Sequence, residues 1–374
     1  MLARLPHTAA GLILTLHVVQ DLGRNYGAAG LVVAATTLGM AVGAPWRGRL
    51  VDRIGLRRAL IPSIIGEAIL WPLAASVSYE WLLPVAFVAG TLNLPIFSVV
   101  RQCLSVLVKP DQRRTAFSID GITTELSFIV GPASAIYLAT RTSTPFTLTL
   151  IGVLGAAAGL LLFWFNPPTR STYAGPEVTI GIVESQFEWL TPAILAVFAI
   201  SVGATFTLNG TDVGILALLR SKEAVGSLGI VFFFWCAASI VGGLIYGSMR
   251  RPIEPMLILF VMGLLTIPVG LADSVWSLSL LVIPSGMLCT PLMAATGERI
   301  SRLVREERRG EAMGWQGTSF TIGAAIGAPL TGVAIDNFGP GGGFVFVGVV
   351  ATLLALAGLI ATRERPVPTS LIKS

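Results

Sequence analysis

Ionisable side chains are scarce in this chain, so each one inside an apolar stretch carries weight. Asp120 and Glu125 share one such stretch. Arg101 ends the stretch before it, Glu67 sits in the middle of an earlier one, and His17 lies in the first. A charge at the centre of a bilayer costs roughly 3 kcal/mol or more, and such residues mark proton relays, gates and solute pathways. A buried carboxyl or an imidazole can carry a proton, and an arginine facing an acid can close a gate. Glu125 is the deeper acid and is the preferred proton-coupling residue, with Glu67 and His17 as further candidates. Arg101 and Asp120 lie nearer the inner surface and read as gate partners.

Helical geometry separates the two acids. Asp120 to Gly131 is eleven positions, about 20° from alignment, and Glu125 to Pro132 is seven, again about 20°. Asp120 and Glu125 are then about 140° apart. Each residue also has a plainer reading. Arg101 can snorkel to the inner surface or pair with Asp52 or a nearby acid. Asp120 and Glu125 can be permanently paired with an arginine, Glu67 can face packing, and His17 can bridge helices. Asn93, Asn209 and Gln316 are polar residues within apolar stretches and can hydrogen-bond between helices.

Nothing here has the pattern of catalysis. The chain has two histidines, His7 and His17, no HExxH and no paired His/Cys cluster. It has no Gly-x4-Gly-Lys-Ser/Thr loop for ATP. Neither an enzyme, a metal nor a cofactor is expected. Cys103, Cys236 and Cys289 are odd in number and lie in or beside apolar segments, which points to free thiols.

The elements that must hold these residues follow from composition. Only 12% of the 374 residues are charged and 54% are hydrophobic, with mean hydropathy +0.80. A soluble domain carries about 25% charge, so the chain belongs in lipid. Apolar runs recur at 3–21, 27–46, 59–78, 82–104, 116–139, 144–165, 190–210, 226–248, 253–271, 276–297, 313–335 and 343–362. Each approaches the length of about 20 residues that a spanning helix needs. The first is expected to be a genuine helix, since no small-residue cleavage site follows it.

The longest break, 166–189, divides the chain into 1–165 and 190–374, six segments each. Four of the 25 Lys and Arg residues, Arg24, Arg141, Arg220 and Lys222, fall in loops on one side. The other 21 mark the opposite side as cytoplasmic, with both termini there. The basic balance, pI 9.4, is therefore a topological signal, and no nucleic-acid partner is expected.

The halves repeat. At a shift of 195 residues Gly48 falls on Gly243, Trp81 on Trp276, and Asp111-Gln-Arg-Arg114 on Glu306-Glu-Arg-Arg309. At 196, Gly131 falls on Gly327. Six segments per half preserve orientation, the plan of parallel repeats about the membrane normal. GxxxG pairs at Gly39/Gly43, Gly155/Gly159, Gly243/Gly247 and Gly323/Gly327 predict close packing inside the bundles.

Between the second and third segments stands Gly48-Arg-Leu-Val-Asp52-Arg53-Ile-Gly55-Leu-Arg57-Arg58. Gly48 permits close approach of a neighbour and Gly55 a turn that a Cβ would hinder. Asp52 can accept charge-assisted hydrogen bonds or face a helix N-terminus.

This loop resembles the signature of the major facilitator superfamily, G-x-x-x-D-R/K-x-G-R/K-R/K. Leu56 departs from it, standing where a basic residue is common. The resemblance implies an all-α membrane protein of twelve transmembrane helices in two pseudo-symmetric six-helix bundles. It also implies a loop that latches the halves in one state, and it puts Asn93 and Asn209 on cavity-lining helices, which makes them, with Gln316, candidates to line the cavity. The second half reads Gly243-Leu-Ile-Tyr-Gly247-Ser-Met-Arg250-Arg251, with Gly247 in place of the acid, which implies an asymmetric switch. Gly131-Pro132 is similar to part of the family's antiporter motif. The glycines that flank that motif are absent, as is the arginine motif early in the fourth segment.

The expectation is a monomeric secondary transporter in a bacterial cytoplasmic membrane, exporting a small amphipathic metabolite or drug against a flow of protons. Uptake of a polar solute such as a sugar is the rival within that class. A membrane-embedded enzyme or lipid-handling protein is the rival outside it.

Overall fold

A computed structural model describes residues 2–109, 111–170, 189–249 and 251–363. Most of the central loop 166–189 lies outside them, as does Arg250. The described residues are almost wholly helical. The elements are α1 (Leu5–Leu16), α2 (Tyr26–Ile54), α3 (Leu56–Ala74), α4 (Tyr79–Leu92), α5 (Ile96–Leu107), α6 (Arg113–Arg141) and α7 (Thr144–Phe165). After the central segment come α8 (Pro192–Ser221), α9 (Leu228–Ser248), α10 (Pro255–Thr266), α11 (Val275–Gly286), α12 (Cys289–Leu303) and α13 (Arg309–Arg363).

Every apolar run of the sequence overlies helix, but the boundaries differ in instructive ways. The run 82–104 is interrupted at Asn93-Leu94-Pro95, between α4 and α5. A residue before proline is driven out of the helical region, and the proline has no N–H to give. The run 3–21 ends in a π-turn, His17–Asp21, rather than continuing as α-helix. The last two runs form one element, α13, bent at Gly339. Its φ of 75° is a backbone conformation suited to glycine. A straight helix of this length would be about 80 Å long, far more than one crossing, so the bend at Gly339 leaves room for two.

Helix starts follow local chemistry. Asn25, Ser143 and Thr191 each accept the N–H of the residue three further on. Ser274 and Ser277 form a reciprocal capping box at α11. The Ser277 hydroxyl donates to Asp273 and holds that exposed carboxyl below its ordinary pKa.

Eight helices among the described residues are long and apolar enough to cross a membrane, and Pro255–Leu271 is a shorter apolar one. Large apolar side chains such as Leu31, Leu38 and Val42 on α2 point outward, as a lipid-facing surface requires. The repeat-related Trp81 and Trp276 are both exposed near the first turn of their helices, the placement of interfacial aromatic residues.

Two compact units emerge. One comprises Met1–Ile182, Tyr246–Ser248 and Ile300–Ile322, the other Val183–Ile245, Met249–Arg299 and Gly323–Ser374. In the first, α2 packs on α4, α3 on α7 and α1 on α6. Gly39 and Gly43 face the backbone of Phe87 and Thr91 so closely that a Cβ at either would strike it. A core of Ile13, Leu14, Val18, Trp71 and Leu148 sits at one level of this unit. A second core, built on Val51, Leu56, Leu60 and Leu94, sits at another. In the second unit α10 packs on α8 and α11. An apolar hollow of about 380 Å³ there is lined by Leu264, Ile267, Leu271 and Val345 and carries no ionisable side chain.

Candidate functional site

The signature loop and the charged cluster beside α1 both lie in the first unit. α2 ends because Gly55 turns the chain, with φ of 81°, directly into α3. One turn before this end Asp52 is buried, 5% exposed. Its carboxylate accepts the N–H of Gly310 at 3.1 Å and of Glu311 at 2.7 Å. These are first-turn amides of α13, which an anion stabilises. Gln102 on α5 donates to the same carboxylate at 2.9 Å.

Gly48 meets the Gly310 backbone, and a Cβ at Gly48 would collide with the Gly310 carbonyl. Arg49 pairs with the fully buried carboxylate of Glu311 at 2.5 Å, and Arg308 reaches the same group at 3.4 Å. Arg309 donates to Ser105 at 3.2 Å and to the Val304 carbonyl. Arg170 donates to the Asp52 carbonyl oxygen.

The basic residues after Asp52 divide by position. Arg57 donates to the Phe163 and Trp164 carbonyls at 3.0 and 3.2 Å, satisfying the end of α7. Arg53 and Arg58 are exposed. Leu56 is 4% exposed and packs in the Val51–Leu60 core, so the departure from the signature places an apolar side chain in an apolar site. In the related stretch Gly247 lies against Ser118, and its carbonyl accepts the Thr115 hydroxyl at 2.6 Å.

Of the partners open to Arg101, Asp120 is the one it meets, and a third residue joins them. Asp120 binds Arg101 through Nε at 3.3 Å and also binds Arg4. Arg4 precedes α1 and is 1% exposed. Its Nη1 donates to the Asp120 carbonyl and to the hydroxyls of Thr123 and Thr124. The Arg4 guanidinium lies over the Phe97 ring at 4.9 Å and that of Arg101 over Phe320 at 5.6 Å. Arg101 Nη1 contacts Gln316 Oε1 at 3.5 Å.

Glu67 also sits in a node that spacing did not disclose. Its Oε1 meets His7 Nε2 at 3.0 Å and accepts the Leu94 N–H at 3.0 Å. Its Oε2 accepts Trp71 Nε1 at 2.7 Å. The amide freed by the break between α4 and α5 is thus satisfied by Glu67, as a buried N–H requires. Gly155 of α7 lies against the same carboxylate. Arg47 is buried, and its Nε and one terminal nitrogen have no acceptor among the described residues.

The remaining candidates are dispersed. Glu125 is half-buried on α6. His17 Nδ1 meets Asp21 at 2.9 Å, and Thr144 of α7 donates to the same carboxylate. Asn93 donates to the Met40 sulfur at 3.3 Å, and Asn209 to the Thr205 carbonyl of its own helix. Gly131 faces Thr8 and the Leu5 carbonyl on α1, and Pro132 follows within α6. Arg4, His7, Gln102 and Glu311 were missed because their partners are remote in sequence. The one available signal was that Arg4 and His7, three apart, share a helical face.

The Major Facilitator Superfamily profile matches residues 1–272 and 219–374. A putative transporter, AraJ, of Escherichia coli strain K12 is 23% identical over 361 residues, covering 91% of this chain and 88% of that protein. The class B tetracycline resistance protein of Escherichia coli is 25% identical over 164 residues, 44% of this chain and 40% of that protein. Among solved structures, the human organic anion transporter MFSD10 superposes with TM-score 0.75 at 16% identity, covering 96% of each chain. A bacterial homologue of the iron transporter ferroportin, in its outward-facing state, superposes with TM-score 0.74 at 15% identity, covering 97% of each. With the family profile spanning the chain and the fold shared with these carriers, the protein belongs to the Major Facilitator Superfamily and is a multi-pass membrane transporter, not an enzyme.

Proposed function

We propose that this transporter is secondary active, works by alternating access, and exports a small amphipathic metabolite or drug in exchange for protons. The observation that carries the reading is the clasp of Asp52 on the first turn of α13. It rests on a few hydrogen bonds around one buried carboxylate, which a modest free energy can make or break. The halves 1–165 and 190–374, joined through 166–189, would be the bodies that rock about a site near the midplane. Arg101–Asp120 would act as the inner gate, and Glu125, with Glu67 and His17 behind it, as the proton carrier. The tetracycline resistance relative supports export as the direction. The protein would act as a monomer in a bacterial cytoplasmic membrane, with both termini inside, as the basic loops favour.

The test is flux in proteoliposomes under an imposed pH gradient. Accumulation of an amphipathic substrate against its own gradient, collapsed by a protonophore, is the expected result. Downhill flux indifferent to the pH gradient would replace this reading with facilitated passage of a solute.

A further inference from the structure

The His7 side chain on α1 is 6% exposed and that of Glu67 on α3 is 2% exposed. His7 Nε2 stands 3.0 Å from Glu67 Oε1. The other ring nitrogen, Nδ1, is buried and has no hydrogen-bond partner among the described residues.

The neighbours of Glu67 decide where a proton sits on this pair. The Leu94 N–H points at Oε1 at 3.0 Å and the Trp71 N–H at Oε2 at 2.7 Å. Both are donors, so a proton on either carboxyl oxygen would face a donor in place of an acceptor. The proton shared by the two groups therefore belongs to His7 Nε2, which donates to Oε1. Nδ1 of the neutral ring then carries a bare lone pair, the basic position of an imidazole.

The surrounding charges are few. Arg47 on α2 is buried and interacts electrostatically with Glu67, so the two offset each other while His7 is neutral. The remaining ionisable groups near the end of α2 and the start of α3 cluster around the turn at Gly55. α7, which packs on both α1 and α3, has no ionisable residue. On α6, Asp120 is bound by Arg4 and Arg101, and Glu125 is engaged as well. On α4, Glu80 is paired with Arg24 and the Tyr79 hydroxyl donates to the Ala28 carbonyl.

From the vacant nitrogen and the all-donor surroundings of its partner we propose that His7 is a proton-binding residue of this transporter, taking the proton at Nδ1 while Glu67 stays ionised as a fixed countercharge. An N–H bond forms at Nδ1, no bond in the pair breaks, and its charge rises by one. The role in transport rests on the proton-exchange reading above and adds His7 to the carriers named there. In the described arrangement the new N–H would be buried without an acceptor, which is unfavourable. Protonation thus favours a different packing of α1 on α3, and the described packing favours release of the proton.

The test is NMR of the histidine ring nitrogens in the full chain in nanodiscs, with His17→Gln used to assign the two rings. At about pH 8 the His7 ring should carry its proton on Nε2 and leave Nδ1 bare. Nδ1 should become protonated between about pH 8 and 5, the range open to an imidazole. Glu67→Gln should abolish that step, whereas an unfolded variant would titrate as free histidine. His7→Gln keeps a donor toward Glu67 and removes the titrating nitrogen. It should cut accumulation driven by a pH gradient about tenfold and flatten the pH profile of downhill exchange, with the thermal midpoint near that of wild type. A His7 ring that stays neutral down to about pH 5, or whose neutral form carries its proton on Nδ1, overturns the proposal. So does driven accumulation by His7→Gln at the wild-type level. Protonation of Nδ1 in a protein without driven accumulation leaves His7 as a proton site and sinks the exchange reading. Driven accumulation with His7 neutral throughout does the reverse.

Discussion

The Glu311 N–H donates to the Asp52 carboxylate at 2.7 Å. The Glu311 side chain returns the contact by pairing with Arg49, one helical turn before Asp52. Two segments about 260 positions apart in the chain are thus joined by a reciprocal exchange in which each acid is held by the other's segment.

Asp52→Asn keeps the shape and removes the charge. A helix-terminal anion of this kind contributes about 1 kcal/mol, up to ~2 when partly buried. The variant should shift the balance of the two vestibule-open states roughly five- to thirtyfold away from the clasped one. Cysteines placed in each vestibule report it, and identical labelling of variant and wild type would falsify the latch.

Gly48→Ala tests the same contact sterically. The added Cβ meets the Gly310 carbonyl, and overpacking of this sort costs about 1–3 kcal/mol. The clasped state should be depleted as in Asp52→Asn while the charge stays intact. If labelling moves with Asp52→Asn and not with Gly48→Ala, close approach at this point is not required.

Glu67→Gln probes the helix break. The carboxylate accepts from Leu94, Trp71 and His7, whereas an amide turns an NH₂ toward one of them. A buried donor left without an acceptor costs about 1–3 kcal/mol. Thermal unfolding in detergent should move down by several degrees. An unchanged midpoint would show that the break between α4 and α5 needs no acceptor.

Glu125→Gln removes the preferred proton carrier. Gradient-driven transport should fall at least tenfold while downhill exchange of substrate persists. Driven transport at the wild-type rate would transfer the role to another acid, and Glu67→Gln, assayed the same way, identifies whether it is the one.

Much of this was legible in the residues. Twelve apolar runs, the basic bias of one set of loops and the Gly48–Arg58 signature disclose a membrane carrier, because bilayer thickness and charge cost constrain sequence directly. Gly55 foretold the turn, since a positive φ selects glycine. Leu56 is informative in the other direction: it breaks the signature, and only the Val51–Leu60 core explains why an apolar side chain stands there.

Hydropathy and charge, read along the chain, mark which residues are costly in lipid: Glu67, Asp120, Glu125 and Arg101. Their partners were decided by tertiary structure alone. Arg4 reads as a basic residue at the chain start, yet it is buried against Asp120, 116 positions away. His7 has no mark of pairing with Glu67, and nothing near Asp52 names the amides of Gly310 and Glu311. The physical reason is the reach of each rule. Helix period, turn chemistry and hydropathy act over a few neighbouring residues, whereas a buried charge is satisfied by whichever helix packing brings within about 3 Å.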